Sequence, residues 1–352
     1  MESEDVKVVP QGSSDHVSQA HESCEGHKTQ DQSKEFTGEY EIQVYEGLEV
    51  DLHKHNRDCR KNPGHQDFIP VYKFRLTHLP EALRDDLLFD FIKVTADLTV
   101  RISVKMTSPN RPQFWPRGDR PFPLYDLRGS ETLRSGTGRI WNVKKVVNGV
   151  DQFGIPSLVH CWCKKCERNA RGGSLWWEVE VDTATHVIYD DIEARSTSVR
   201  LFFDQPNSPA VLLDQGSFVG VNIDKDSTLL KYVTCDIELG SRLFALWDRW
   251  DGLWSKVCEK YKKTRDDHKL TFIVSHPHGF SKQVSIGQWV EKRPEGNVAY
   301  NFQFSYTTCT CPGSSGAPVN ILGYSTGWGE HSHSGACDTE DGLNFCGFGY
   351  VA

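Results

Sequence analysis

Thr308-Cys-Thr-Cys-Pro-Gly-Ser-Ser-Gly-Ala-Pro-Val319 is a run of small and polar residues between an alternating apolar segment, Val298–Tyr306, and the pair Pro318-Val319. Such a run is either a tight connection between strands or a turn built to expose a side chain, with Ser314 and Ser315 as the candidates. Gly313 and Gly316 flank both serines and admit backbone conformations closed to other residues. Which reading holds fixes the fold, and the rest of the chain decides it.

The chain has 352 residues, long enough for one large or two ordinary domains. A net charge of -8 with 38% hydrophobic residues fits a soluble globular protein and leaves no basic patch for nucleic acid. The sequence holds no run of 18 apolar residues, so no membrane span is expected. Its start, Met1 to His16, is acidic and lacks the positive flank and apolar centre of a secretory signal, which predicts an intracellular, cytoplasmic protein. Eleven cysteines is an odd number, and in a reducing compartment thiols or metal ligands are expected over bridges.

Residues 1–35 contain no Leu, Ile, Phe, Trp or Tyr and read as a disordered tail. The segment 36–125 reads as a small α+β region. Val71–Leu76 and Leu98–Met106 alternate like strands, and between them Leu83, Leu87, Leu88 and Phe91 form one helical stripe after Pro80. Beyond the Pro-rich Ser108–Pro116, short strands dominate: Trp177–Val181, Val199–Phe203, Phe218–Ile223, Leu270–Val274 and Val298–Tyr306. The interruption is a 3-or-4 spacing of Leu243, Leu246, Trp250, Leu253, Trp254, Val257 and Tyr261, which predicts a helix over about 241–263.

Gly313-Ser-Ser-Gly-Ala-Pro318 has the shape Gly-x-Ser-Gly-small-Pro and resembles the nucleophile turn of the chymotrypsin-like serine peptidases. The resemblance makes Ser315 the nucleophile and the amides of Gly313 and Ser315 the oxyanion hole. Thr183-Ala-Thr-His-Val187 is similar to the family's Thr-Ala-Ala-His segment and implies His186 as general base. Asp226-Ser-Thr-Leu-Leu230 resembles the Asp-x-x-Leu-Leu pattern and implies Asp226 as the acid that orients the imidazole; Asp236 and Asp224 are the alternatives. Ser275-His-Pro-His-Gly279 with Val284–Gly287 looks like the opening of the second barrel in heat-shock-type relatives, and Gly136–Val143 like the first strand of the first barrel. His276 and His278 suit that turn structurally.

The implied fold is mainly β: two antiparallel six-stranded barrels, 126–240 with the histidine and aspartate and 269–352 with the serine, joined by a helical segment 241–268. The implied activity is hydrolysis of peptide bonds in protein or peptide substrates through an acyl-enzyme, with no cofactor in the chemistry. Two departures matter. Ser314 stands where secreted relatives carry an aspartate that pairs with a newly cut N-terminus, so that mode of activation is not expected, and Ala317 replaces a glycine. In glutamate- and glutamine-selecting relatives a histidine lines the specificity pocket, which nominates His333, or else His331, for selecting an acidic or amide side chain.

Cys161-Trp-Cys-Lys-Lys-Cys166 spaces three thiols for a structural zinc, with His160 or a distant cysteine as fourth ligand. The rival reading of the chain is a catalytically inactive barrel pair, zinc-braced and acting as a binding module. A third, an α/β-hydrolase esterase, requires a second glycine after the serine and a following helix, which Ala317 and Pro318 oppose. Nothing in the sequence sets the oligomeric state.

Overall fold

Alternation and turn signals build two curled antiparallel sheets, seen in a computed structural model that describes residues 35–45, 52–116, 118–158, 160–169, 174–296, 298, 300–324, 331–338 and 342–351. The expected tail lies, apart from Glu35, outside the described residues.

In the first sheet the main path runs Ser217–Asn222, Ser227–Thr234, Leu175–Thr183, Arg134–Val147, Thr99–Val104, Thr197–Leu201, Val211–Leu213. In the second it runs Gly38–Tyr40, His333–Cys337, Asn344–Cys346, Asn301–Tyr306, Gln283–Pro294, Leu270–Ser275, Val319–Ile321. The six strands from His333–Cys337 to Val319–Ile321 close into a barrel. Val319 N donates to His331 O at 2.7 Å and His333 N to Ala317 O at 2.8 Å, which joins the last strand to the first. Each sheet counts nine strands rather than six because short segments add to its edges.

Those added segments change the place of residues 36–125. They do not stand apart: Gly38–Tyr40 and Ile69–Pro70 pair into the second sheet, while Gln43–Val44 and Thr99–Val104 pair into the first. Val71–Leu76 is not a strand but part of successive 3-10 turns, Val71–Lys73 and Leu76–His78. Its buried residues, Val71 and Phe74, are three apart, the 3-10 period, although the residue types alternate.

The helix Asp86–Leu98 starts at Asp85, whose carboxylate accepts the Leu88 amide, and buries Leu88, Phe91 and Ile92. The connecting helix, Ile237–Tyr261, starts earlier than its apolar spacing suggests because Asp236 caps it through the Leu239 amide. Phe91 joins the two helices to the second sheet, with its ring 5.9 Å from Trp250 and 5.8 Å from Phe272. The helices thus cover the outer face of Leu270–Ser275, whose residues are all buried, instead of leaving one face to solvent.

Candidate active site

His186 follows the strand Leu175–Thr183 on a turn in which the amides of Val187 and Ile188 both donate to Ala184 O. Beneath this turn lies a dry ion cluster: Glu193 pairs with Arg111 at 2.6 Å and Arg134 at 2.7 Å, all three without exposed side-chain surface. The arginines also donate outward, Arg111 Nη1 to His186 O at 3.0 Å and Arg134 Nε to Val187 O at 3.0 Å. Burial would raise the Glu193 carboxyl, but the two guanidinium groups hold it below its ordinary range. The cluster therefore fixes the backbone that presents the imidazole.

Asp226 stands just before the strand Ser227–Thr234 with φ 52°, a left-handed conformation that aspartate tolerates in turns. Its Oδ1 accepts the His186 amide at 3.0 Å, and its Oδ2 lies 2.6 Å from His186 Nδ1. The Ser334 hydroxyl donates to the same Oδ2 at 2.7 Å. Of the three carboxylates nominated by sequence, Asp226 is the one beside the imidazole; Asp236 is the helix cap and Asp224 is exposed. His186 Nε2 is buried and has no hydrogen-bond partner among the described residues.

Gly313 and Gly316 take φ 98° and 85°, and a Cβ at Gly316 would lie 2.2 Å from Thr183 Oγ1, so the turn requires both glycines. Ala317 does not share that conformation. The turn is locked to the first sheet, with Thr137 N donating to Ser315 O and Thr137 Oγ1 to Gly313 O, both at 2.8 Å. The Ser315 hydroxyl donates to Ser334 O at 3.2 Å and is turned toward that carbonyl. Ser314 Oγ faces inward, 3.0 Å from Ser275 Oγ.

The cleft between the sheets holds a segment of the chain itself. Gly38, Glu39 and Tyr40 pair antiparallel with Cys337, Ala336 and Gly335, and Glu41 N continues the ladder to Ser334 O at 3.1 Å. The Gly313 amide donates to Glu41 O at 2.7 Å, whereas the Ser315 amide makes no such bond in this pose. Tyr40 lies over the His186 ring, 4.6 Å between centroids, and Trp115 stacks on Tyr40 at 5.4 Å. Past Glu41 the chain crosses to the first sheet, where Gln43 and Val44 pair with Ser135 and Arg134.

The Glu41 side chain is 4% exposed and enters a polar pocket. His333 Nε2 lies 2.7 Å from its Oε2, and Lys61 bonds its Oε1 while reaching Asn344 Oδ1 at 2.6 Å and Thr310 Oγ1 at 3.1 Å. Burial would raise the Glu41 carboxyl, but Lys61 and His333 lower it to about 2. Burial lowers His333 despite Glu41. The charges thus balance as carboxylate with ammonium, and the neutral imidazole serves as a donor. Tyr306 OH sits 2.7 Å from His333 Nδ1 and orients the ring. His331 is elsewhere, its Nε2 3.0 Å from Phe302 O. The sequence reading missed Glu41, Lys61, Ser334, Arg111, Arg134 and Glu193. Ser334 directly follows His333 in His331-Ser-His-Ser334 and carries no motif of its own.

Cys161, Cys163, Cys166 and Cys235 bring their sulfur atoms within 4.8 Å of one another, so the distant cysteine completes the cluster; His160 is exposed and is not in it. Cys59, His65, His278 and Cys311 form a second set on the same measure. No disulfide joins the cysteines of the described residues.

No protein-family model matches the chain, and no curated protein matches it in sequence. Among solved structures it is similar to the Rv3671c protease from M. tuberculosis in its active form, at 12% identity and TM-score 0.36 over 75% of this chain and 82% of that one. It is similar to Deg5 at 12% identity and TM-score 0.36, covering 76% and 90%, and to the HtrA-type protease AlgW with tripeptide at 12% and 0.35, covering 74% and 58%. The functional reading rests on the site's own geometry. Among the described residues no helix is long and apolar enough to cross a membrane.

Proposed function

We propose that the chain is a serine endopeptidase that cleaves after acidic side chains. Ser315 is the nucleophile, His186 the general base, Asp226 the group that holds the imidazole tautomer, and Gly313 with Ser315 the source of oxyanion donors. The observation that carries this reading is the bond from the Gly313 amide to the carbonyl of an extended peptide, beside an imidazole anchored at Nδ1 and free at Nε2. The reaction needs the Ser315 hydroxyl to rotate from Ser334 O toward His186 Nε2. Oxygen then attacks the carbonyl, the proton passes through His186 to the leaving amine, and water releases the acyl-enzyme. No cofactor enters these steps.

His333 and Lys61 together select the side chain before the scissile bond, which favours glutamate over glutamine because Lys61 supplies a counter-charge. A structural zinc at Cys161, Cys163, Cys166 and Cys235 suits the all-thiolate donor set and would brace the first sheet. Fluorogenic peptides differing only in Glu, Gln or Ala before the bond test the assignment. Cleavage is expected after Glu and should vanish in Ser315→Ala; folded wild-type protein with the cleft cleared of residues 36–41 that cleaves none of them contradicts it.

A further inference from the structure

We infer that Glu41–Ile42 is a peptide bond that Ser315 cleaves in its own chain, an inference that rests on the peptidase reading above. Each part of a bound substrate is supplied by residues 36–44. The residues before the bond form an antiparallel ladder on His333–Cys337, and those after it pair with the first sheet, so the bond spans the cleft between the two walls. Glu41 O takes the Gly313 amide, the Glu41 amide donates to Ser334 O, and the Glu41 carboxylate fills the His333 and Lys61 pocket. A buried segment must pair these three groups somewhere; here the partners are the proposed oxyanion donor, the strand beside it and the proposed selectivity pocket.

Farther back the segment is anchored by one side chain and one backbone amide. Gln303 Oε1 accepts Phe36 N at 2.6 Å, Gln303 Nε2 donates to Phe36 O at 3.2 Å, and Asp338 N donates to Thr37 O at 3.0 Å. Gly38 is obligatory, since a Cβ there would stand 1.7 Å from Ala336 O.

In the step, Ser315 Oγ bonds to the Glu41 carbonyl carbon and the bond to Ile42 N breaks. The hydroxyl proton travels through His186 Nε2 to that nitrogen. That nitrogen is then the new amino terminus at Ile42, and water adds to the ester, giving an α-carboxylate at Glu41 and returning Ser315 to its hydroxyl. Until the segment leaves, it excludes other substrates, so cutting and release open the cleft.

Intact mass and N-terminal sequencing of the full chain test this. Wild type should lose residues 1–41 and begin at Ile42, Ser315→Ala should stay whole, and Glu41→Ala should cut there on the order of 10²-fold or more slowly. Wild type that stays whole while Ser315 still takes a fluorophosphonate overturns self-cleavage and leaves the peptidase reading standing. Wild type that is folded and whole, and that stays unreactive after limited proteolysis within residues 36–44 has freed the cleft, overturns both. Ser315→Ala cut at Ile42 by a small proportion of added wild type as fast as a free Glu peptide would overturn the intramolecular route.

A separate observation carries a second site. We propose that Cys59, His65, His278 and Cys311 bind a zinc ion that staples the Lys61 loop to the nucleophile turn. Cys59 Sγ and Cys311 Sγ are 3.6 Å apart, against about 3.8 Å for two thiolates on a tetrahedral zinc. Nε2 of His65 and of His278 are both buried without a hydrogen-bond partner among the described residues. His278 Nδ1 lies 2.8 Å from Gln43 Oε1, a bond that fixes the tautomer and leaves Nε2 for a metal. Asn62 donates to both sulfurs, from N to Cys59 and from Nδ2 to Cys311.

Metal analysis of the full chain, purified with zinc and dialysed, tests it. Two equivalents are expected in wild type, one in Cys59→Ser and one in Cys235→Ser. Cobalt substitution reads the site independently of variants that fail to fold, since two thiolates give weaker charge-transfer absorption than four. A single equivalent with only the four-thiolate signature overturns the second site.

Discussion

The two walls of the cleft hold their reacting groups in opposite ways. On the first-sheet wall His186 is fixed at its backbone by a buried ion cluster and at its ring by Asp226 Oδ2, 2.6 Å away. On the second-sheet wall the backbone of the serine turn is locked by Gly313, Gly316 and Thr137, yet the hydroxyl of the proposed nucleophile rests on Ser334 O at 3.2 Å. In the proposed mechanism the base is held and the nucleophile turns. Motion needed for reaction is thereby confined to one torsion, χ1 of Ser315.

Substitutions on the two walls sharpen this difference, and the largest effects fall on the reacting groups. Ser315→Ala should lower turnover of a Glu-containing peptide on the order of 10⁵-fold or more, and Asp226→Asn about 10⁴-fold, with thermal unfolding showing that both remain folded. Next comes the support of the base. Glu193→Gln leaves two buried guanidinium groups short of their counter-charge and should cost about 3–5 kcal/mol in denaturant unfolding. On the opposite wall Ser314→Ala removes only the neutral bonds to Ser275 and the Cys311 amide and should cost about 1 kcal/mol. Equal costs would erase the contrast between a charge-held wall and a turn-held one.

The smallest effect is a pH dependence. The Glu41 carboxyl is held at about 2 in the pocket, below its ordinary value of 4.5, so its ionised form favours docking. Docking of residues 36–41 in Ser315→Ala should be fully stabilised above about pH 4.5 and weaken as pH falls through about 2, read by hydrogen exchange of the Tyr40 and Glu41 amides. Protection that grows on acidification would reverse the charge assignment.

How much of this was legible in the sequence depended on whether the signal was local. Ser315, His186 and Asp226 each sit in a short segment that resembles a motif of the chymotrypsin-like peptidases, and the structure brings all three to one cleft. The connecting helix showed in its apolar spacing, though its start depended on the cap at Asp236. Val71–Leu76 misled because alternating residue types stand on a 3-10 backbone that buries positions three apart. Nothing in the local sequence marks Glu41 and Lys61, and only pairing across the cleft puts them in one pocket. Likewise the three thiols of Cys161–Cys166 are visible as a cluster, whereas Cys59 and His65 meet His278 and Cys311 only through the fold.

The rate of fluorophosphonate labelling tests the central claim most directly, that Ser315 reacts through a base held at His186. The adduct should form on Ser315 in wild type and at least about 100-fold more slowly in folded His186→Ala, with residues 1–41 removed from both. Equal rates in the two, or an adduct on another serine, would contradict it.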